Sequence, residues 1–268
     1  MSMEKSLWQH ITTVRQQSPL VHNITNFVVM NNTANALLAV GASPIMAHAR
    51  SEVADMVAIA HALVINIGTL AEYWVDSMLL AAETANKSNK PWVLDPVGAG
   101  ATAYRDEVLQ KLLAFNPTII RGNASEIIAL AKNNTAITKG VDSTAASNDA
   151  IASARLLVEK YNAVVCISGA VDFVVDSRQI VSITNGHPLM TKVTGLGCSA
   201  TAIIGAFAGV TANKTEAAVA AMAILSIAGE LAEQQSKGPG SLQLHLLDQL
   251  YTLTEEVFNA RLKLGITA

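Results

Sequence analysis

Two glycines and a cysteine stand together in Val193-Thr194-Gly195-Leu196-Gly197-Cys198-Ser199-Ala200, directly ahead of a run of small apolar residues that extends to Val210. That run has helical composition. A helix beginning near Gly197 points its unpaired N–H groups and the positive end of its dipole at whatever lies there. Glycines let those amides crowd around an anion. Cys198 falls in the first turn, where the field favours a thiolate, and Lys192 and Thr194 add a cation and a hydroxyl just upstream. The chemistry that suits this stretch is phosphate binding beside a polarised side chain. A tight turn followed by an inert, packed cysteine has the same spacing. Gly195, Gly197 and Ala200 also fit the dinucleotide pattern G-x-G-x-x-A, which needs a strand before it and an acidic residue closing the next strand. Pro188-Leu189-Met190-Thr191 is a poor strand, and alanine-rich helix follows, so that reading is set aside.

Other reactive residues are scattered along the chain. Asp95 and Glu126 each follow a buried apolar run and could share a Mg²⁺ ion, which carboxylates hold directly or through water. Arg121 offers phosphates a rigid fork of donors. Each carboxylate also has a plain alternative: Asp95 precedes a proline in a turn, and Glu126 stands three residues after Asn123 as a capping-box partner. Asn23, Asn26, Asn31, Asn32 and Asn35 are dense, and most read as turn and cap residues. His22 reads as a structural histidine. No Walker sequence, C-x-x-C or H-E-x-x-H motif occurs, and the six histidines lack ligand spacing.

The elements that must position these residues follow from hydrophobic pattern. Residues 2–16 read as an amphipathic helix with Leu7, Ile11 and Val14 on one face. An extended segment at 19–23 leads to Thr25 or Asn26 as the cap of a helix running to Val40. A turn and short strand follow at 41–46. Helices are expected at 51–62, 70–86, 103–115 and 148–161, the last capped by Asn148. Strands are expected at 63–67, 92–95, 118–121 and 163–168. Residues 132–147 read as a loop with a turn at Lys139-Gly140-Val141-Asp142, and 171–175 with 179–184 as a hairpin about Asp176-Ser177. Helices at 198–211, 214–235 and 240–260 complete the chain. Alternation of strand and helix implies an α/β fold, a mainly parallel central sheet with helices on both faces, in one domain spanning 1–268. Ligands of such sheets bind beyond the carboxyl ends of the strands. Asn66-Ile67-Gly68, Asp95 to Gly98, Arg121-Gly122-Asn123 and Ser168-Gly169 fall there.

Composition narrows the classes. Hydrophobic residues are 51% of the 268 and charged residues only 15%, so most of the chain is expected to be packed core. A net charge of −3 without a basic run argues against nucleic acid or an acidic membrane surface as partner. Apolar stretches near 200–210 and 217–228 are interrupted and read as core helices, short of the ~20 residues of a membrane span. Two cysteines are no disulfide framework, and Met1 to His10 lacks the apolar centre of a secretory signal, so a cytoplasmic location is expected.

Taken in order, Val21-His22-Asn23-Ile24-Thr25-Asn26, Gly41-Ala42-Ser43-Pro44-Ile45-Met46, Asn66-Ile67-Gly68-Thr69-Leu70 and Asp95-Pro96-Val97-Gly98-Ala99-Gly100 resemble the hydroxyethylthiazole kinases, a ribokinase-like family of thiamine salvage. The resemblance continues through Arg121-Gly122-Asn123-Ala124-Ser125-Glu126, Asn185-Gly186-His187-Pro188, Gly195-Leu196-Gly197-Cys198 and Lys237-Gly238-Pro239-Gly240-Ser241. It implies transfer of the γ-phosphate of ATP, with Mg²⁺, to the primary alcohol of 4-methyl-5-(2-hydroxyethyl)thiazole. It further implies that Asn26, Met46 and Gly195 line the thiazole pocket and that Arg121, Ser168 and Gly197 serve ATP. Asp95 and Glu126 would organise the Mg²⁺ region, Cys198 would face the substrate hydroxyl, and the assembly would be a homotrimer. Two positions depart from the family pattern. Leu196 is larger than the usual threonine or alanine, and Ser168 replaces a threonine.

The residues themselves fit. Pro44 and Met46 offer a compact apolar wall for a neutral ring. Phosphoryl transfer is mostly positioning and charge stabilisation, so the Gly195–Gly197 amides are expected to matter more than Cys198. Cys198 is expected to orient the hydroxyl and, given a helix-activated thiolate, to take its proton. Three other readings share the architecture: a kinase of another small heterocyclic alcohol, an ATP-dependent dehydratase of hydrated nicotinamide cofactors, and a non-catalytic thiazole-binding protein. Cys198 and the Asn23–Asn26 segment favour the thiazole.

Overall fold

Strands covered by helices on both faces need apolar side chains at every position, and Ala62-Leu63-Val64-Ile65 and Trp92-Val93-Leu94 supply them. In the computed structural model, which describes residues 3–134 and 146–267, both runs are strands with every residue buried. The elements in order are α1 (Met3–Gln17), β1 (Leu20–Ile24), α2 (Met30–Val40), β2 (Ser43–Ile45), α3 (Val53–Ile59), β3 (Ala62–Asn66), α4 (Glu72–Lys87) and β4 (Trp92–Asp95). Next come α5 (Ala103–Leu113), β5 (Ile119–Asn123), α6 (Ala124–Asn134), α7 (Ala146–Tyr161), β6 (Val164–Ser168), β7 (Asp172–Val175) and β8 (Ile180–Ile183). A short 3₁₀ turn at Pro188–Lys192 leads to α8 (Leu196–Val210), α9 (Lys214–Glu233), α10 (Pro239–Thr252), α11 (Glu255–Arg261) and β9 (Leu264–Thr267).

Among the described residues these strands form one sheet in the order β2-β1-β3-β4-β5-β6-β7-β8-β9. Pairing is parallel from β2 to β6 and antiparallel from β6 to β9. Chain direction across the sheet reverses at β1, which has β2 on one side and β3 on the other. Side chains alternate between two cores. Val21, Val64, Val93 and Ile119 meet α1, α2, α8, α9 and α10, while Leu63, Ile65, Leu94 and Ile120 meet α3 to α7.

The expected α/β architecture is present, with several local differences. Neither Thr25 nor Asn26 caps α2, which begins at Met30 after Val29 with no side-chain cap. Helix α7 starts at Ala146, which puts Asn148 inside it rather than at its cap. Helix α6 runs to Asn134, and the expected turn at Lys139-Gly140-Val141-Asp142 lies outside the described residues. The single helix expected over 240–260 is two, and Leu264–Thr267 adds a strand to β8 that local pattern did not indicate. Helix α9 is a full 20 residues, long and apolar enough by composition to cross a membrane; 83% of its most apolar window is buried inside the protein.

Helix α8 lies directly against the sheet, and a glycine allows it. A Cβ on Gly205 would sit 2.5 Å from Cγ2 of Val64 and 3.3 Å from Cγ1 of Val21. Both neighbours are stiff β-branched residues in buried strands, so they have little room to yield. Gly205→Ala gains ~1 kcal/mol of helix propensity but meets an overpacking cost of about 1–3 kcal/mol. The expected result is net destabilisation, read as a lower midpoint in urea at unchanged m. A more stable variant would mean that α8 can lift off the sheet freely.

Candidate active site

The parallel strands end side by side, and each end delivers a polar residue. In register, Asn66 lies beside Asp95, and Asn123 beside Ser168. A chain of contacts crosses these ends. Asn26 Nδ2 donates to Asn66 Oδ1 at 2.8 Å, and Asn66 Nδ2 donates to Asp95 Oδ2 at 2.7 Å. Arg121 Nη1 lies 3.9 Å from the same Asp95 oxygen, and Arg121 Nη2 donates to Ser168 Oγ at 2.5 Å. From α8, Thr201 Oγ1 donates to Asp95 Oδ2 at 2.8 Å. Asn26 thus belongs to this chain of contacts rather than to a helix cap. Its Nδ2 points into this chain and also approaches Cys198 Sγ at 3.5 Å, while its Oδ1 accepts from Val28 N at 3.1 Å.

Asp95 is fully buried. Burial pushes its pKa up to about 6, against the pull of Arg121 and the hydrogen bonds from Thr201 and Asn66, and Glu126 adds to the rise. Asp95 Oδ1 has no partner. Glu126 makes the expected capping box, with its Oε2 accepting from Asn123 N and its own N donating to Asn123 Oδ1. It does more than cap, because Oε1 also accepts from Gly98 N at 3.0 Å, in the loop after Asp95. Among the described residues no group of three or more His, Cys, Asp or Glu side chains gathers as a metal cage. Two carboxylates, one with an unpartnered oxygen, fit Mg²⁺ in the form that keeps several waters and leans on substrate phosphates.

Helix α8 begins as its sequence suggested. Gly195 takes a left-handed φ of 77°, and a Cβ there would lie 2.4 Å from Val29 Cγ1. Gly197 has a different reason to be glycine, because a Cβ would lie 2.6 Å from Arg121 Nη1. The guanidinium therefore rests on the first turn of α8. Beside them opens a cavity of about 530 Å³ lined by Arg121, Ser168, Gly197, Leu196, Asp172 and Met222, among others. Asp172 is turned into the protein by Gly169 N–H and the Ser226 hydroxyl, and burial raises its pKa.

Arg121, Ser168 and Gly197 meet at this cavity, and Asn26, Asp95 and Cys198 join them through Asn66. Met46, half-buried just beyond edge strand β2, does not line this cavity. The expected thiolate at Cys198 is corrected. Burial, then the nearby Asp95 carboxylate, push the thiol pKa up to about 11, outweighing Arg121 and the two asparagines. Asn66 is at the ligand end of the sheet as expected, though no role was assigned to it; two further contributors, Thr201 and Arg105, carried too little local signal to be singled out. Arg105 Nη1 donates to the carbonyls of Ile67 and Val97 at 2.6 and 2.9 Å, and its Nη2 to that of Gly68 at 2.9 Å. It fastens together the loops that follow β3 and β4.

A mainly parallel sheet with its polar residues at the strand ends and an anion-directed helix terminus defines a ribokinase-like protein. Pyridoxal kinase from Staphylococcus aureus, solved with pyridoxal, has this fold at a TM-score of 0.67 and 16% identity, over 92% of this chain and 97% of that one. The structure of a hydroxyethylthiazole kinase protein from Pyrococcus horikoshii OT3 superposes at a TM-score of 0.92 with 42% identity, over 98% of this chain and all of that one. Hydroxyethylthiazole kinase from Syntrophus aciditrophicus is 56% identical over 261 residues, 97% of each chain. Residues 11–256 match the model of the hydroxyethylthiazole kinase family, and the chain belongs to that family.

The raised pKa of Asp95 has a signed consequence for stability. Its protonated form is favoured in the folded chain, so its contribution is fullest below the unfolded value of 3.8 and is lost as pH rises through about 6. Asp95→Asn removes that loss. The stability of the variant relative to wild type is expected to improve between pH 4 and 7, measured as the difference in urea unfolding free energy at each pH. A pH-independent difference would show that Asp95 keeps an ordinary pKa in the folded state.

Proposed function

We propose that this chain transfers the γ-phosphoryl group of ATP to the primary alcohol of 4-methyl-5-(2-hydroxyethyl)thiazole, giving the thiazole phosphate and ADP for thiamine salvage, and that one domain of residues 1–268 does so. The observation that carries this reading is the wedge of Arg121 on the first turn of α8. It brings a fixed cation and a helix N-terminus to one wall of a cavity large enough for a nucleotide. In the reaction the alcohol oxygen attacks the γ-phosphorus, the bond to the ADP oxygen breaks, and the alcohol proton passes late to an oxygen of the transferred phosphoryl group. Arg121, Ser168 and Gly197 are assigned to ATP. Asn26, Met46 and Gly195 are assigned to the thiazole. Asp95 and Glu126 would hold Mg²⁺, which neutralises phosphate charge when bound.

Cys198 is assigned to the alcohol as an orienting thiol. A thiol raised to about 11 stays protonated at neutral pH and does not take the alcohol proton. Cys198→Ala is therefore expected to lower kcat by roughly tenfold, less than the ~10²–10⁴-fold that a general base supplies. Cys198→Asp is expected to remain active. A loss above ~10³-fold in the alanine variant, measured by single-turnover kinetics, would restore a base role.

Several wider features support the remaining parts of the proposal. Phe27, Val28 and Tyr73 are 59%, 61% and 62% exposed beside the acceptor residues, which supports burial between subunits of a homotrimer. Both cysteines are unpaired, which supports a reducing, cytoplasmic setting. The deciding experiment is ADP release with ATP, Mg²⁺ and hydroxyethylthiazole, with the product identified by mass. Hydroxymethylpyrimidine and pyridoxal run in parallel. Phosphothiazole alone is the expected product. Turnover of another alcohol would reassign the acceptor, and thiazole binding without product would make the chain a sensor.

A further inference from the structure

Two of the acceptor residues, Asn26 and Met46, sit on segments that follow β1 and β2, and a single imidazole ties those segments together. His48 Nε2 accepts a hydrogen bond from Thr25 N at 3.2 Å, and His48 Nδ1 lies 3.2 Å from the Met46 carbonyl oxygen. A backbone N–H only donates and a carbonyl only accepts, so the ring carries its proton on Nδ1 and leaves Nε2 bare. The ring stacks on Trp74 with centroids 4.3 Å apart and planes 23° from parallel. Trp74 in turn packs against Phe27, with centroids 4.3 Å apart. His22, buried in β1, has its Nε2 2.8 Å from the Ala47 carbonyl oxygen. Two successive carbonyls of the Met46 segment are therefore each held by a histidine.

We propose that His48 is a positioning residue for the acceptor pocket, and that it acts only as the neutral ring protonated on Nδ1. A second proton would go to Nε2, the atom facing the Thr25 N–H. Two donors would then oppose each other, and the tie between the Asn26 and Met46 segments would open. Burial lowers the pKa of His48 below its ordinary value, while the Met46 carbonyl at Nδ1 and the charge of Glu52 pull it back up. His22, the other imidazole nearby, likewise has its pKa lowered by burial. Trp74 brings no charge to the stacked face. The cavity at Arg121 is lined by none of these residues, so opening the tie acts on the acceptor and leaves ATP alone. The inference rests on the thiazole alcohol being the acceptor.

Steady-state kinetics of wild type, His48→Gln and His48→Phe between about pH 5 and 8 tests it. Wild type is expected to show a thiazole KM that rises about tenfold on acidification while the KM for ATP stays flat. The amide oxygen of His48→Gln can accept from Thr25 N but does not titrate. That variant is expected to keep the neutral-pH KM within about threefold and to lose the acid rise. His48→Phe keeps the stack on Trp74 and loses both hydrogen bonds; its thiazole KM is expected to rise about tenfold at neutral pH, with ATP unaffected. Normal thiazole KM in His48→Phe, or thiazole and ATP constants that move together, would overturn the inference. Calorimetric binding of hydroxyethylthiazole to the same variants reads the tie without turnover. A chain that binds thiazole in this pH-dependent way yet makes no phosphothiazole would sink the kinase reading and leave the role of His48 standing.

Discussion

A carboxylate without solvent must be matched by donors or give up its charge. Asp95 stands at that balance, and the surrounding structure is arranged about it. Its Oδ2 takes hydrogen bonds from Asn66 and Thr201 and lies opposite Arg121, so β3, α8 and β5 all converge on one oxygen. Moving any of these elements would strip a donor from a buried charge, which costs more than an exposed ion pair of the same geometry returns. The sheet ends are held in mutual register by this polar convergence as well as by their backbone ladders. Arg105 extends the arrangement outward by binding the carbonyls of the loops after β3 and β4.

Glycine sets the distances at which α8 operates. Gly205 lets the helix lie on Val64, and Gly197 lets Arg121 lie on the helix. One helix therefore touches the apolar core with its middle and the charged site with its first turn. The two contacts are linked, because the depth to which α8 sinks on the sheet decides where its free amides stand relative to the guanidinium. Thr201, one turn into the same helix, uses that depth to reach Asp95.

Much of this was legible in the chain. The strand runs, the helix start at Gly195–Gly197 and the Asn123–Glu126 capping box rest on local chemistry, and local chemistry decided them. What escaped depended on distant partners. Asn26 has good capping chemistry, but α2 begins only at Met30, and the side-chain amide instead donates to Asn66, 40 positions away. Thr201 is one of two hydroxyl residues, with Ser199, in an apolar helix, and nothing nearby in sequence marks its partner. Cys198 has the helix terminus that was expected, yet the field it feels is set by burial and by a carboxylate from β4. Leu264–Thr267 became a strand because β8 was available to pair with it.

Both margins of the sheet are short. At one side β2 has three residues, one of them Pro44, which lacks an amide hydrogen; at the other, β9 has four and carries Gly265. Neither offers another chain a long, flat row of free backbone donors and acceptors. Had β9 not covered β8, a hairpin strand continuous with the sheet would have lain open. The fold thus discourages joining of copies by sheet extension, the route that leads to fibres.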